Sequence, residues 1–336
     1  MEYSSKSNLP QESSDTPKIT LFPNDLNDHT LRRIKQLGIN HLSLTGPPIP
    51  WEKSVIEAMQ NKAAEFEMKI GNLMFSGFDE AVYGRQGRDK EIDLVIRSIK
   101  VAGQVGLPVM EYNFYAHRAT EGYYQEEGRG GAGLTAFDYE IIKDLPPLRE
   151  EGAHNLKTMW DNVTYFLKAV VPVAHDAGVR LALHPNDPPA PISRGSEQIM
   201  GSLDGWKKLV DIVDSPSNGI TFDCGVTREL GHDPVEVIKY FGKKDRINHV
   251  HFRNVYTVIP SEKYTEVFLD EGEVDMFAVM KELVKQKYPR LIYPEHPPVL
   301  DADRENPFDG ISSNNYTGFA YTTGYARAML QASLSL

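Results

Sequence analysis

Leu181-Ala182-Leu183-His184-Pro185-Asn186-Asp187-Pro188-Pro189 is an apolar run that ends on an imidazole and is cut off at once by prolines. Proline lacks the amide proton that a strand ladder needs, so the run predicts a short strand delivering His184 to the open end of a sheet. Three later runs finish in the same way: Ile220-Thr221-Phe222-Asp223-Cys224-Gly225, Ile247-Asn248-His249-Val250-His251-Phe252-Arg253, and Leu291-Ile292-Tyr293-Pro294-Glu295-His296. Strand ends offering His, Asp, His and Glu read as one site.

Outward from this stretch the same unit repeats, a short apolar run, a loop, an amphipathic helix and often a glycine. Strands are predicted at 19–22, 41–45, 69–74, 108–114, 179–184, 219–224, 247–253 and 291–295, and helices at 25–37, 51–66, 88–105, 154–177, 203–213, 234–242, 274–286 and 316–333. Alternation of strand and helix demands a parallel sheet, and eight such units close most simply into a (β/α)8 TIM barrel, an α/β fold. An open doubly wound sheet is the rival, but no glycine-rich dinucleotide fingerprint follows the first strand. Residues 17–336 are expected to form this single domain, with serine-rich residues 1–16 as a disordered tail. Residues 115–153 and 254–273 exceed ordinary connectors, follow strands, and are expected to form lid or substrate loops at the carboxyl-end face.

A net charge of -11 over 336 residues argues against a nucleic-acid or membrane partner, since both need a concentrated basic surface. Hydrophobic residues at 40% and charged residues at 25% describe an ordinary globular chain. The single cysteine, Cys224, excludes an intrachain disulfide framework. With no run long enough to span a bilayer and no signal-like start, a cytoplasmic protein is expected. The aromatic pairs Tyr123-Tyr124 and Tyr240-Phe241 could serve a homo-oligomer, although buried helix contacts are the simpler and favoured account.

Side chains alternate along a strand, which sorts the candidates by face. Leu181 and Leu183 pack outward and leave Ala182 and His184 facing the lumen; Ile220 and Phe222 outward place Thr221 and Asp223 inside, favouring Asp223 over Cys224. Val250 outward aligns His249, His251 and Arg253 inward. Tyr293 and Glu295 share a face, as do Glu111 and Asn113. Imidazoles and carboxylates without a thiolate suit Mn²⁺ first, with Fe²⁺, Co²⁺, Mg²⁺ or Zn²⁺ as other divalent candidates.

Those residues, together with Tyr112-Asn113-Phe114, Gly128-Arg129-Gly130-Gly131-Ala132, His249-Val250-His251-Phe252-Arg253-Asn254, Phe268-Leu269-Asp270-Glu271-Gly272 and Pro294-Glu295-His296, resemble the mannonate dehydratase family from about Ile19 to Leu330. The resemblance implies a metal-dependent, xylose-isomerase-like barrel that removes water from D-mannonate to give 2-keto-3-deoxy-D-gluconate. It implies metal ligands at His184, Asp223, His251 and Glu295. This chain carries Asp223 where the family has cysteine and Glu295 where it has aspartate, a more oxygen-rich set. The loop Tyr115-Ala116-His117-Arg118-Ala119-Thr120 also departs from the family's residues.

A sugar acid needs cationic grip and proton transfer. Arg253 and Arg129 are the first candidates for holding the carboxylate, with Arg118, Asn113 and Asn186 as further substrate-binding residues and Asp187 as a tautomer-fixing partner of His184. His296 resembles the family's acid/base histidine and titrates in a useful range. Tyr316 resembles its tyrosine before the last helix. Rival readings are a sugar isomerase or epimerase of the same barrel type and a sugar-binding barrel without catalysis.

Overall fold

The computed structural model describes residues 10–336. Its barrel strands are β1 (Lys18–Leu21), β2 (His41–Thr45), β3 (Lys69–Met74), β4 (Val109–Tyr112), β7 (Arg180–Leu183), β10 (Asn218–Asp223), β11 (Ile247–His251) and β14 (Leu291–Tyr293). All pair in parallel, and β1 closes the cylinder by bonding both β2 and β14. Outside it lie β5 (Tyr123–Glu127), β6 (Gly133–Asp138), β12 (Asn254–Ile259) and β13 (Lys263–Val267), plus a small hairpin of β8 (Ile192–Ser193) and β9 (Ser196–Glu197).

The jacket consists of α1 (Asp28–Gln36), α2 (Lys53–Ala64), α4 (Arg88–Gln104), α5 (Leu156–Asp176), α6 (Leu203–Ile212), α8 (Pro234–Lys243), α9 (Met276–Lys285) and α11 (Tyr316–Leu334). Shorter helices α3 (Asp79–Tyr83), α7 (Cys224–Glu229) and α10 (Asp301–Glu305) sit within connections. The expected strand and helix series is therefore present, with ends that shift by a few residues. The last strand stops at Tyr293 because Pro294 cannot continue a ladder.

In α5 the spacing of Met159, Val163, Phe166, Val170 and Ala174 puts one apolar stripe against the barrel, and the Asn155 side chain starts the helix by accepting the Thr158 amide. Phe166 stacks on Phe78 with ring centroids 5.2 Å apart. Removing so large a buried ring would cost about 3–5 kcal/mol. On β7, Leu181 and Leu183 are fully buried, as their outward alternation requires.

The two long loops do not stay irregular. Their strands join in the antiparallel order β12-β13-β6-β5, so segments 141 residues apart in the chain, such as Tyr123 and Tyr264, meet through their hydroxyls at 3.1 Å. The sequence reading left these strands as loop because they mix polar and aromatic residues and lack a run of aliphatic ones. A small core of Phe137, Ile142, Val255 and Tyr264 lies beneath it.

Of the expected tail, residues 1–9 lie outside the described residues. Residues 10–16 correct the expectation: Thr16 is buried, and the Glu12 carboxylate accepts the Ile19 amide at 3.1 Å. That acceptor satisfies a backbone donor at the start of β1, which explains why so polar a segment packs against the barrel's floor.

Candidate functional site

Register brings the strand ends level. Asp223 on β10 pairs with His251 on β11, His251 with Tyr293 on β14, and the His184 amide still bonds the Tyr112 carbonyl at 2.9 Å beyond the end of β7. Asp223 is both the last residue of β10 and the N-cap of α7: its Oδ1 accepts the Val226 amide at 2.8 Å, which leaves Oδ2 toward the lumen. The cap thereby aims the carboxylate. Cys224 is already inside the helix and buried elsewhere.

His184, Asp223, His251 and Glu295 each offer one donor atom, all within 4.8 Å of one another. His184 Nε2 and His251 Nδ1 are 2.9 Å apart, and His251 Nδ1 lies 2.9 Å from Glu295 Oε1. Asp223 Oδ2 stands 3.8 Å from His184 Nε2 and 3.9 Å from His251 Nδ1. His184 Nδ1–H donates to the Pro185 carbonyl at 2.7 Å, so the lone pair on Nε2 faces the cluster. Glu295 Oε1 is buried without a hydrogen-bond partner among the described residues. Nitrogen and oxygen lone pairs converging on one point fit a divalent cation.

Charge points the same way. Glu111, Asp187, Asp223, Glu229, Glu266 and Glu295 are all buried, at exposures of 6% or less. Arg253 answers several of them at once: Glu229 at 2.6 Å, Asp223 at 3.1 Å, Glu295 at 3.3 Å and Asp187 at 3.4 Å. Burial pushes Asp223 up to about 6, with Arg253 opposing and the Glu295 charge adding to the rise. Burial and the neighbouring His251 push His184 down to about 4, which keeps its Nε2 a free ligand.

His296 follows at once on Glu295, with a positive φ of 47°. That left-handed backbone costs a non-glycine residue about 1–3 kcal/mol, and here it turns the ring back into the cleft. Its Nδ1 is 2.6 Å from Glu266 Oε1 on β13 and its Nε2 3.5 Å from Glu295 Oε2. Burial works against the imidazolium, but Glu266 and Glu295 outweigh it and raise the group to about 9. Around these residues opens a cleft of about 520 Å³, lined also by Asn113, Tyr115, Arg118, Tyr123 and Ser313.

Some expected residues fall elsewhere. Arg253 is 1% exposed, held by carboxylates, and does not line the cleft. Arg129 pairs with Asp270 at 2.8 Å and lies over the Phe268 ring at 4.0 Å, outside the cleft. Asn186 is structural: its side chain bonds Gln198 and the Met200 amide. Tyr316 points away, donating to the Arg33 carbonyl at 2.9 Å. Asp187 does not orient His184; it accepts from Tyr123 at 2.9 Å and Tyr264 at 3.2 Å and pairs with Arg118 at 3.3 Å. Arg118 and Asn113 do line the cleft, Asn113 with a buried Oδ1 that has no hydrogen-bond partner among the described residues. Glu266, Tyr115 and Tyr123 fall within stretches singled out as loops but were given no role in the site; the Tyr264/Glu266 alternation in residues 263–267 was the available clue.

Residues 150–334 match the family model described as D-mannonate dehydratase (UxuA). The chain belongs to the mannonate dehydratase family. Curated mannonate dehydratases of Streptococcus agalactiae serotype V and Oceanobacillus iheyensis are 27% identical over 311 residues and 28% over 301 residues, covering 84% and 80% of this chain and 88% and 84% of theirs. The solved mannonate dehydratase of Streptococcus suis serotype2 superposes with a TM-score of 0.83 at 24% identity, covering 95% of each chain. A xylose isomerase domain protein from Planctomyces limnophilus shares the fold with a TM-score of 0.61 at 14% identity, over 96% of this chain and 100% of its own. Membership makes the chain a hydro-lyase of the sugar-acid dehydrating kind, as the resemblance implied. Among the described residues no helix is long and apolar enough to cross a membrane.

Proposed function

We propose that this mannonate dehydratase family member removes water from D-mannonate to give 2-keto-3-deoxy-D-gluconate, with a divalent ion, Mn²⁺ by first choice, held by His184, Asp223, His251 and Glu295. The observation that carries this reading is the convergence of those four donors beside His296 in one cleft.

Elimination passes the C2 proton to a base in the cleft, breaks the C3–O bond as a proton joins the departing hydroxyl to form water, and leaves an enol that gives up its hydroxyl proton and gains one at C3 to become the 2-keto-3-deoxy acid. When bound, the ion supplies electrostatic stabilisation of the charge that builds on the acid's carboxylate and 2-hydroxyl. Arg118, the guanidinium that lines the cleft among the described residues, meets the negative substrate in place of Arg253 and Arg129. Its Nε and Nη2 are fixed on Asp187 at 2.7 and 3.3 Å, so the fork enters the cleft at a set angle. His296 keeps Nδ1–H on Glu266 and turns Nε2 toward the substrate, where it delivers the proton that leaves with the 3-hydroxyl. Asn113 supplies an amide for a sugar hydroxyl.

Incubating the Mn²⁺-loaded protein with a panel of aldonic acids tests this. D-Mannonate should yield one equivalent of a 2-keto-3-deoxy acid. A product isomeric with its substrate would instead place the chain with the isomerases and epimerases. Turnover of another aldonate alone would retain dehydration and replace the substrate.

A further inference from the structure

Glu111 lies on β4, one layer below the four ligand residues, 2% exposed inside the barrel. Its Oε1 accepts the Thr221 hydroxyl at 2.7 Å and its Oε2 the Asn72 amide at 2.7 Å. Oε1 also stands 3.3 Å from His251 Nε2, while Nδ1 of the same ring faces His184 and Glu295 at 2.9 Å each. The carboxylate therefore sits behind the ring and the ligand cluster in front.

A histidine ligates through one nitrogen, and the partner of the other nitrogen decides which one is free. His184 solves this with a backbone carbonyl, that of Pro185. Among the described residues, the group that faces His251 Nε2 is the Glu111 carboxylate, and no backbone acceptor meets it. Accordingly, we propose that Glu111 is a positioning residue: it accepts Nε2–H of His251, fixes the Nδ1 lone pair on the ligand cluster, and raises the basicity of that nitrogen. Thr221 and Asn72 keep the carboxylate in place, so three strand residues of the barrel interior serve one ring. The proposal rests on His184, Asp223, His251 and Glu295 being the ion site.

One rival is built from the same atoms. Glu111, His249 and His251 also bring donor atoms within 4.8 Å, and neither His249 nitrogen has a hydrogen-bond partner among the described residues. An ion there would make Glu111 a ligand instead. A second ion there would give two per chain, and a sole ion there would take His251 Nε2 and leave the ring proton on Nδ1.

Titration calorimetry with Mn²⁺ on the whole chain separates the cases. Glu111→Gln keeps the shape, and its amide nitrogen can turn to the Asn72 Oδ1, which is unpartnered among the described residues. It should bind one ion about 10–100-fold more weakly than the native chain, with the metal-free melting temperature unchanged. Affinity within twofold of native, or two ions per native chain, overturns the proposal. A native chain that binds no Mn²⁺ overturns the site reading on which it rests. Nitrogen-15 spectra of the Zn²⁺-loaded native protein supply a readout independent of any variant: the His251 ring should carry its proton on Nε2, and a proton on Nδ1 would overturn the assignment.

Discussion

His296 Nδ1 lies 2.6 Å from Oε1 of Glu266, a residue contributed by the sheet over the barrel mouth. The histidine proposed to move the proton follows the end of β14, and the group that holds its back nitrogen comes from β13. Replacing His296 by Asn should lower kcat about 10²–10⁴-fold while bound Mn²⁺ stays near one per chain. Glu266→Gln should lower kcat by a smaller factor and leave KM within a few-fold. An unchanged kcat in His296→Asn would remove that residue from the chemistry.

Asp223 and Cys224 are adjacent but differ in role. Asp223→Asn keeps a side-chain acceptor for the Val226 amide, so the cap on α7 survives while one anionic donor is lost. Its affinity for Mn²⁺ should fall by more than the about 10–100-fold expected from disturbing a mere partner of a ligand. Cys224→Ala should bind as the native chain does. Elemental analysis after dialysis reads both, and the opposite ranking would identify the thiol as ligand.

Arg118 enters the cleft and Arg129 does not. Losing a charge-assisted contact to the acid costs about 1.5–3 kcal/mol, which corresponds to roughly 10–150-fold in KM. Arg118→Gln should show that rise at constant Mn²⁺ affinity. Arg129→Gln should leave KM within about twofold, because a surface pair with Asp270 carries little energy. Equal effects in steady-state kinetics would refute this division.

On the barrel floor, His41 is pushed down to about 4, first by burial and then by Lys18, Lys69 and Lys35; Glu12, whose own pKa burial raises, does not offset them. Unfolded, the imidazole takes a proton near 6.5, so its contribution to stability is complete above that pH, declines as pH falls toward 4, and is level below. Partial exposure reduces the effect to about 1 kcal/mol. Urea midpoints at about pH 7 and about pH 5 should therefore differ less in His41→Gln than in the native chain. Equal pH dependence in both would exclude His41 as a contributor.

The barrel was legible because its cause is local. Period-two alternation in Leu181–His184 and Ile220–Asp223 states which side chains face inward, and proline and glycine mark where each strand stops. The convergence of His184, Asp223, His251 and Glu295 was legible for the same reason. What the sequence concealed depends on contacts across the chain. Arg253 is inward by alternation, as expected, but only the assembled fold shows Glu229, Asp223 and Asp187 surrounding it. Glu266 lay in a loop with no reason to meet residue 296, and Tyr316 looked available until its hydroxyl was found on Arg33.

The sheet over the mouth is shared property of two insertions. Because β6 lies directly beside β13, with Lys263 bonded to Asp138 at 2.6 Å, neither excursion has a complete shape without the other. Anyone wishing to redirect this catalyst toward a new aldonate by loop exchange must therefore transplant both excursions as a matched set, since a single graft would strand one hairpin and misplace the carboxylate that steadies His296.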